Sequence, residues 1–166
     1  IGNDGVLYVV NRSQVNVARG VRVTMCNAEG EYFGTFGSYG EGDGQFTSPS
    51  GIAIDSQGRI YFSDASAKFG VTQVRADFFE HRGNGALLRY DPSTGETEQL
   101  ADQLYFPNGI AVGPDDAYVL VNETAKYRVL RYWLKGDKAG SHDVFFDNLP
   151  GIPDGISGNG RGTFWL

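Results

Sequence analysis

Cysteine is nearly absent: Cys26 stands alone, which excludes an internal disulfide framework and any zinc site built from thiolates. Histidine is scarce, with two in 166 residues, so an imidazole-rich metal centre has few donors to draw on. No apolar run approaches the roughly 18 residues that a spanning helix needs, so no membrane span is visible. Positive charge is in deficit: 14 Lys and Arg face 20 Asp and Glu, and a net charge of −6 lacks the basic face that binds phosphate backbones. No nucleic-acid partner is expected, and cations or neutral small molecules are the better ligands. In excess are glycine, at 24 residues, and aromatics, at 13%, a mixture that favours short strands and tight turns over helices. The chain opens on Ile1 and closes on Thr163-Phe164-Trp165-Leu166, within an apolar run, so it reads as a piece of something longer. The compartment cannot be read from such a piece.

One internal repeat organises the chain. Pro49-Ser50-Gly51-Ile52-Ala53-Ile54 leads to Ile60-Tyr61-Phe62, and Pro107-Asn108-Gly109-Ile110-Ala111-Val112 leads to Tyr118-Val119-Leu120. Pro153-Asp154-Gly155-Ile156 then leads to Phe164-Trp165, and a further copy survives only as its second half, from Asp4 to Val10. The glycines of the Pro-X-Gly steps lie 58 and 46 residues apart, near the roughly 40 to 50 residues of a four-stranded propeller blade. The expected architecture is all-β: a partial six-bladed β-propeller, about half of the ring, built from four-stranded antiparallel blades. Residues 1–48 form a blade lacking its first strand, 49–101 a blade carrying an insertion at 65–85, 102–152 the next, and 153–166 the start of another. The only helix expected is at Thr72 to His81, inside the insertion. A thirteen-strand sandwich would not repeat a Pro-X-Gly-Ile signature at this spacing.

The inner strand of each blade lines the axis of a propeller, so side chains at one repeat position gather there although far apart in sequence. The X of Pro-X-Gly is Ser50, then Asn108, then Asp154. All three carry oxygen, which suits a hard cation such as calcium or magnesium; the same residue types before glycine also serve as plain turn formers. The insertion must overhang the face on which this trio begins, and long connections of this kind are disproportionately binding loops. It holds Phe69, Phe78, Phe79, Glu80, His81 and Arg82, apolar beside titratable groups, as a cover over a polar centre needs. Asp64, Asn122 and Glu123 end second strands on the same face, and each could be a ligand, a base or a strand-ending acceptor. Asn11-Arg12-Ser13 and Asn122-Glu123-Thr124 match the glycosylation sequon. Gly40-Glu41-Gly42-Asp43-Gly44 lacks the strand-to-helix context of a phosphate loop.

From Ile60-Tyr61-Phe62-Ser63-Asp64 through Leu87-Leu88-Arg89-Tyr90-Asp91-Pro92, Tyr118-Val119-Leu120-Val121-Asn122-Glu123-Thr124 and Arg131-Tyr132-Trp133-Leu134-Lys135-Gly136, the chain resembles the strictosidine synthase-like proteins. Their superfamily includes the gluconolactonase, regucalcin-like and paraoxonase propellers. The first third, with Phe33-Gly34-Thr35-Phe36-Gly37 and Gly42-Asp43-Gly44-Gln45-Phe46, is similar to NHL repeats. The resemblance implies a divalent metal at the axis, calcium foremost, with Asn108 and Asp154 at ligand positions and Ser50 reaching the cation through water. It implies hydrolysis of a small-molecule lactone or related ester, with Asp154 doubling as base; the overhanging insertion and the strand ends on its face offer a substrate lid of Phe78, Phe79, His81 and Glu123. Ser50 departs from the Asn or Asp usual at its position. A first-blade Glu ligand would precede Ile1, and the catalytic Glu of strictosidine synthase would lie beyond Leu166, in blades missing from this chain. Alternative expectations are metal-independent carbon–carbon bond formation of the strictosidine synthase type and a non-catalytic NHL-like binding scaffold.

Overall fold

A computed structural model describes residues 1–2, 5–12 and 20–166. Asp4, at the head of the first half-repeat, and Ser13 of one sequon lie outside the described residues. The chain is a partial β-propeller. Strands β1 (Leu7–Asn11), β2 (Arg22–Cys26) and β3 (Tyr32–Phe36) form a three-stranded antiparallel sheet. Two four-stranded antiparallel sheets follow. The first runs β6 (Pro49–Ile54), β7 (Ile60–Asp64), β8 (Gly85–Asp91), β9 (Glu96–Leu104), and the second β10 (Pro107–Val112), β11 (Tyr118–Glu123), β12 (Arg128–Trp133), β13 (His142–Phe146). Strands β14 (Ser157–Gly158) and β15 (Phe164–Trp165) pair beyond them. Each sheet is a meander in sequence order, as hairpin-linked blades require.

Period-two alternation explains why the second strand of a blade reads as an unbroken apolar run. In β7, Tyr61 joins a core with Leu87, Leu104, Ile110, Val119, Val121 and Leu130, between the two four-stranded sheets. Its neighbours Ile60 and Phe62 face the other way, into a core with Val21, Val23, Phe36, Phe46 and Leu88, against the first sheet. A sheet buried on both faces needs apolar residues at both parities. Each fully buried side chain of this size contributes about 1.5–3 kcal/mol.

The repeated glycine has a packing cause. A Cβ on Gly51 would lie 2.2 Å from the Asn108 carbonyl oxygen and 2.8 Å from the Ile110 nitrogen. A Cβ on Gly109 would lie 2.6 Å from both the Asp154 carbonyl oxygen and the Ile156 nitrogen. Inner strands of neighbouring blades thus approach backbone to backbone beside X, and only glycine fits.

The insertion carries the expected helix in a shorter form: a 3-10 turn at Val71–Gln73, then α1 (Val74–Glu80), ended by His81 in the left-handed region at φ 49°. Its anchor is Asp77, 2% exposed, which accepts hydrogen bonds from Ser66 Oγ and Asn84 Nδ2, both at 2.9 Å. The glycine-rich stretch at 40–44 joins a short parallel pair absent from the sequence reading, β4 (Ser38–Tyr39) and β5 (Gln45–Phe46). Gln45 Oε1 accepts from Gly42 N at 3.0 Å, and Phe46 is fully buried, which pins this loop.

Candidate functional site

The three X residues meet. Ser50 Oγ donates to Asn108 Oδ1 at 2.6 Å, and Asn108 Nδ2 donates to an Asp154 carboxylate oxygen. Each comes from a different blade and stands immediately before its inner-strand glycine, so the spacing of the repeat is what brings them together. Ser50 and Asn108 are half-buried and Asp154 is exposed, so the chain of hydrogen bonds runs from the packed interior to an open edge.

What holds these residues is a second layer of polar groups at the ends of β7 and β11. Ser63 Oγ accepts from Gly51 N at 2.8 Å and donates to the Asn108 carbonyl at 2.7 Å, tying one inner strand to the next. Asn122, at the same place in β11, donates from Nδ2 to the carbonyls of Asp154 and Gly155, each at 3.0 Å. Thr124 Oγ1 donates to the Pro153 carbonyl at 2.7 Å. The sequence leaves Asn122 open among three roles and passes over Ser63 and Thr124. Superposing the repeat units would have placed Ser63 and Asn122 together, one residue ahead of an acid. Asn122 is fully buried in the folded chain, so its sequon is not an accessible glycosylation site.

The acids beside them are structural acceptors in this arrangement. Asp64 takes the amides of Thr47 at 3.0 Å and Ser48 at 2.5 Å, closing the loop that enters β6. Burial pushes its carboxyl up to about 6, although those two amide bonds favour the charged form. Glu123, 1% exposed, accepts from Tyr105 N at 2.8 Å and pairs with Arg128 Nε at 2.5 Å. Both its oxygens are engaged, which places it in the scaffold beneath the face and not in a cover over it.

The insertion lies against the start of β10. Phe78 packs on Phe106 with ring centroids 4.8 Å apart, and His81 packs on Tyr105 at 5.2 Å; Phe106 precedes Pro107-Asn108 directly. Phe78 and His81 are thus on the face of the trio. Phe79 points away, 89% exposed.

The trio carries one carboxylate, one amide and one hydroxyl, oxygen donors of the kind a hard cation takes, with the Asn108 amide turning its nitrogen to Asp154 and its oxygen to Ser50. Among the described residues no three His, Cys, Asp or Glu side chains gather, so Asp154 is the single charged donor of the trio.

The chain is similar to the adipocyte plasma membrane-associated protein of Rattus norvegicus, 40% identical over 116 residues, which are 69% of this chain and 31% of that protein. The matched region therefore spans about a third of that relative. Among solved structures it superposes on a gluconolactonase from Xanthomonas campestris with a TM-score of 0.60 at 20% identity, covering 86% of this chain and 48% of that one. It superposes on a calcium-binding regucalcin from Agrobacterium tumefaciens with a TM-score of 0.59 at 14% identity, covering 99% and 50%. These two likenesses are of fold. In sequence, the family model of strictosidine synthase matches residues 50–137, just over half of the chain, and the protein belongs to the strictosidine synthase family.

Proposed function

We propose that this chain carries the axial part of a divalent-cation-dependent hydrolase of lactones or related esters. The observation that carries the reading is the hydrogen-bonded line from Ser50 in β6 through Asn108 in β10 to Asp154, just ahead of β14. With its amide turned so that Oδ1 in place of Nδ2 faces Asp154, Asn108 would hold the cation, calcium first, together with the Asp154 carboxylate, and Ser50 Oγ would reach it through water. When bound, the cation would polarise the scissile carbonyl and stabilise the developing oxyanion. The exposed Asp154 carboxylate would take a proton from the attacking water. Phe78 and His81 would shelter the substrate. The likenesses to a gluconolactonase and to a calcium-binding regucalcin support this assignment.

The remaining blades of the ring would supply further ligands. Phe146, Ile152 and Trp165, more than half exposed near one end of the arc, are the kind of surface a following blade covers. The family relationship also favours a second reading, carbon–carbon bond formation of the strictosidine synthase type, which would not depend on a cation.

The test is turnover of simple lactones by protein with a complete ring. Activity abolished by a chelator and restored by calcium is expected. Turnover indifferent to the chelator would reject the cation, and no hydrolysis beside amine–aldehyde condensation would favour the second reading.

A further inference from the structure

Asp154 differs from its two companions in how its backbone is held. Ser50 lies within β6 and Asn108 within β10, each in the break of register that follows a paired proline, Pro49 with Asp64 and Pro107 with Glu123. Residues 151–156 have no strand pairing, and β14 begins only at Ser157. Three consecutive carbonyls of this irregular stretch are nevertheless all taken up by the preceding blade. Thr124 Oγ1 donates to Pro153 O at 2.7 Å, Gly109 N to Asp154 O at 2.8 Å, and Asn122 Nδ2 to both Asp154 O and Gly155 O at 3.0 Å.

The equivalent positions one blade earlier do much less. Ser63 holds only the Asn108 carbonyl, and Ala65 has no side-chain donor where Thr124 has one. Asn122 also carries an uncompensated cost: its Oδ1 is buried without a hydrogen-bond partner among the described residues. A serine, as at position 63, would satisfy one carbonyl without that orphan oxygen. Asparagine gives instead two amide hydrogens aimed at two successive carbonyls of the segment that carries Asp154.

We propose that Asn122 and Thr124 form a side-chain clamp that positions Asp154 at the axis by holding three successive carbonyls around it. Both are positioning residues: neither touches the cation or substrate, and both act through the backbone that carries the Asp154 carboxylate. The link to cation binding rests on the proposed hydrolase reading; the clamp itself does not.

The experiment therefore has two arms, on Asn122→Ala, Asn122→Ser and Thr124→Val. In the first, native-state hydrogen exchange is read at the Gly109 amide, which bonds to Asp154 O, and at the core amides of Val119 and Val121 as internal reference. Asn122→Ala should speed Gly109 exchange by about tenfold, or about 1.4 kcal/mol of local opening, with the reference amides unmoved. Asn122→Ser should recover part of the protection, and Thr124→Val, which conserves shape, should show the same selectivity should Asn122→Ala not fold. Unchanged Gly109 exchange, or equal acceleration of all amides, overturns the clamp. In the second arm, calcium is titrated calorimetrically into the same variants made in protein with a complete ring. Weaker uptake in Asn122→Ala, partly restored in Asn122→Ser, is expected. Affinity equal to that of the unaltered chain overturns the positioning role. Failure of the unaltered protein to take up calcium defeats the hydrolase reading, while the exchange arm still decides the clamp.

Discussion

Replacing Gly51 by alanine asks the axial packing to open. The new methyl would sit 2.2 Å from the Asn108 carbonyl oxygen, and reaching ordinary contact near 3.4 Å means moving one inner strand away from its neighbour by about 1.2 Å. That displacement breaks the 2.7 Å bond from Ser63 Oγ to the same carbonyl and stretches the Ser50–Asn108 link. Overpacking of this kind costs about 1–3 kcal/mol, and each net hydrogen bond about 1 kcal/mol. Gly51→Ala should therefore lose about 2–4 kcal/mol, a large part of the roughly 5–15 kcal/mol of a typical domain. In a chain of this size the thermal midpoint should fall by about 4–16 °C. Gly155 supplies the internal control, because a Cβ there has nothing within 4 Å. Gly155→Ala should be neutral or slightly stabilising, since it also restricts the unfolded chain. Urea unfolding followed by the fluorescence of Trp133 and Trp165 measures both. Equal stability of the two variants would refute close inter-blade approach as the reason for the repeated glycine.

Two further perturbations test the scaffold around the site. Asp64 has its carboxyl raised from 3.8 to about 6 by burial, so the folded chain holds that proton more tightly than the unfolded one. Its contribution is most favourable below about pH 4 and is lost as pH rises to about 6, by up to about 3 kcal/mol; urea midpoints across that range should show the slope in the unaltered chain and not in Asp64→Asn, and identical slopes would contradict the assignment. On the insertion, Phe78→Ala should loosen the segment from Phe106 and speed proteolytic cleavage within 65–84, whereas Phe79→Ser, at an 89% exposed position, should change stability by less than about 0.5 kcal/mol. Equal cleavage of the two would place Phe78 outside the packing of the cover.

The architecture was legible because one steric demand recurs. Gly51 and Gly109 are required wherever an inner strand meets the next, so the Pro-X-Gly step marks the blades, and X marks the axis. The runs Ile60-Tyr61-Phe62 and Val119-Leu120-Val121 were legible for a related reason, since a sheet sandwiched between two others is apolar on both parities. The pair β4–β5 was not, because two-residue strands leave no period, and their placement depends on Phe46 sinking into a core shared with Val23 and Phe62. The supports of the site were hidden in another way. Asp64 acts on amides 16 and 17 residues upstream, Asn122 on carbonyls 32 and 33 residues downstream, and such partners follow from blade geometry and not from local pattern. Glu123 shows the converse: an acid at a strand end on the right face looked available, and its pairing with half-buried Arg128 and the Tyr105 amide leave neither oxygen free.

Calorimetric titration of calcium into protein with a complete ring, unaltered or carrying Asn108→Ala or Asp154→Asn, bears most directly on the axial site. Uptake by the unaltered chain that weakens in both variants while their unfolding midpoints stay close to its own is the predicted result. Identical isotherms in all three proteins would contradict the site.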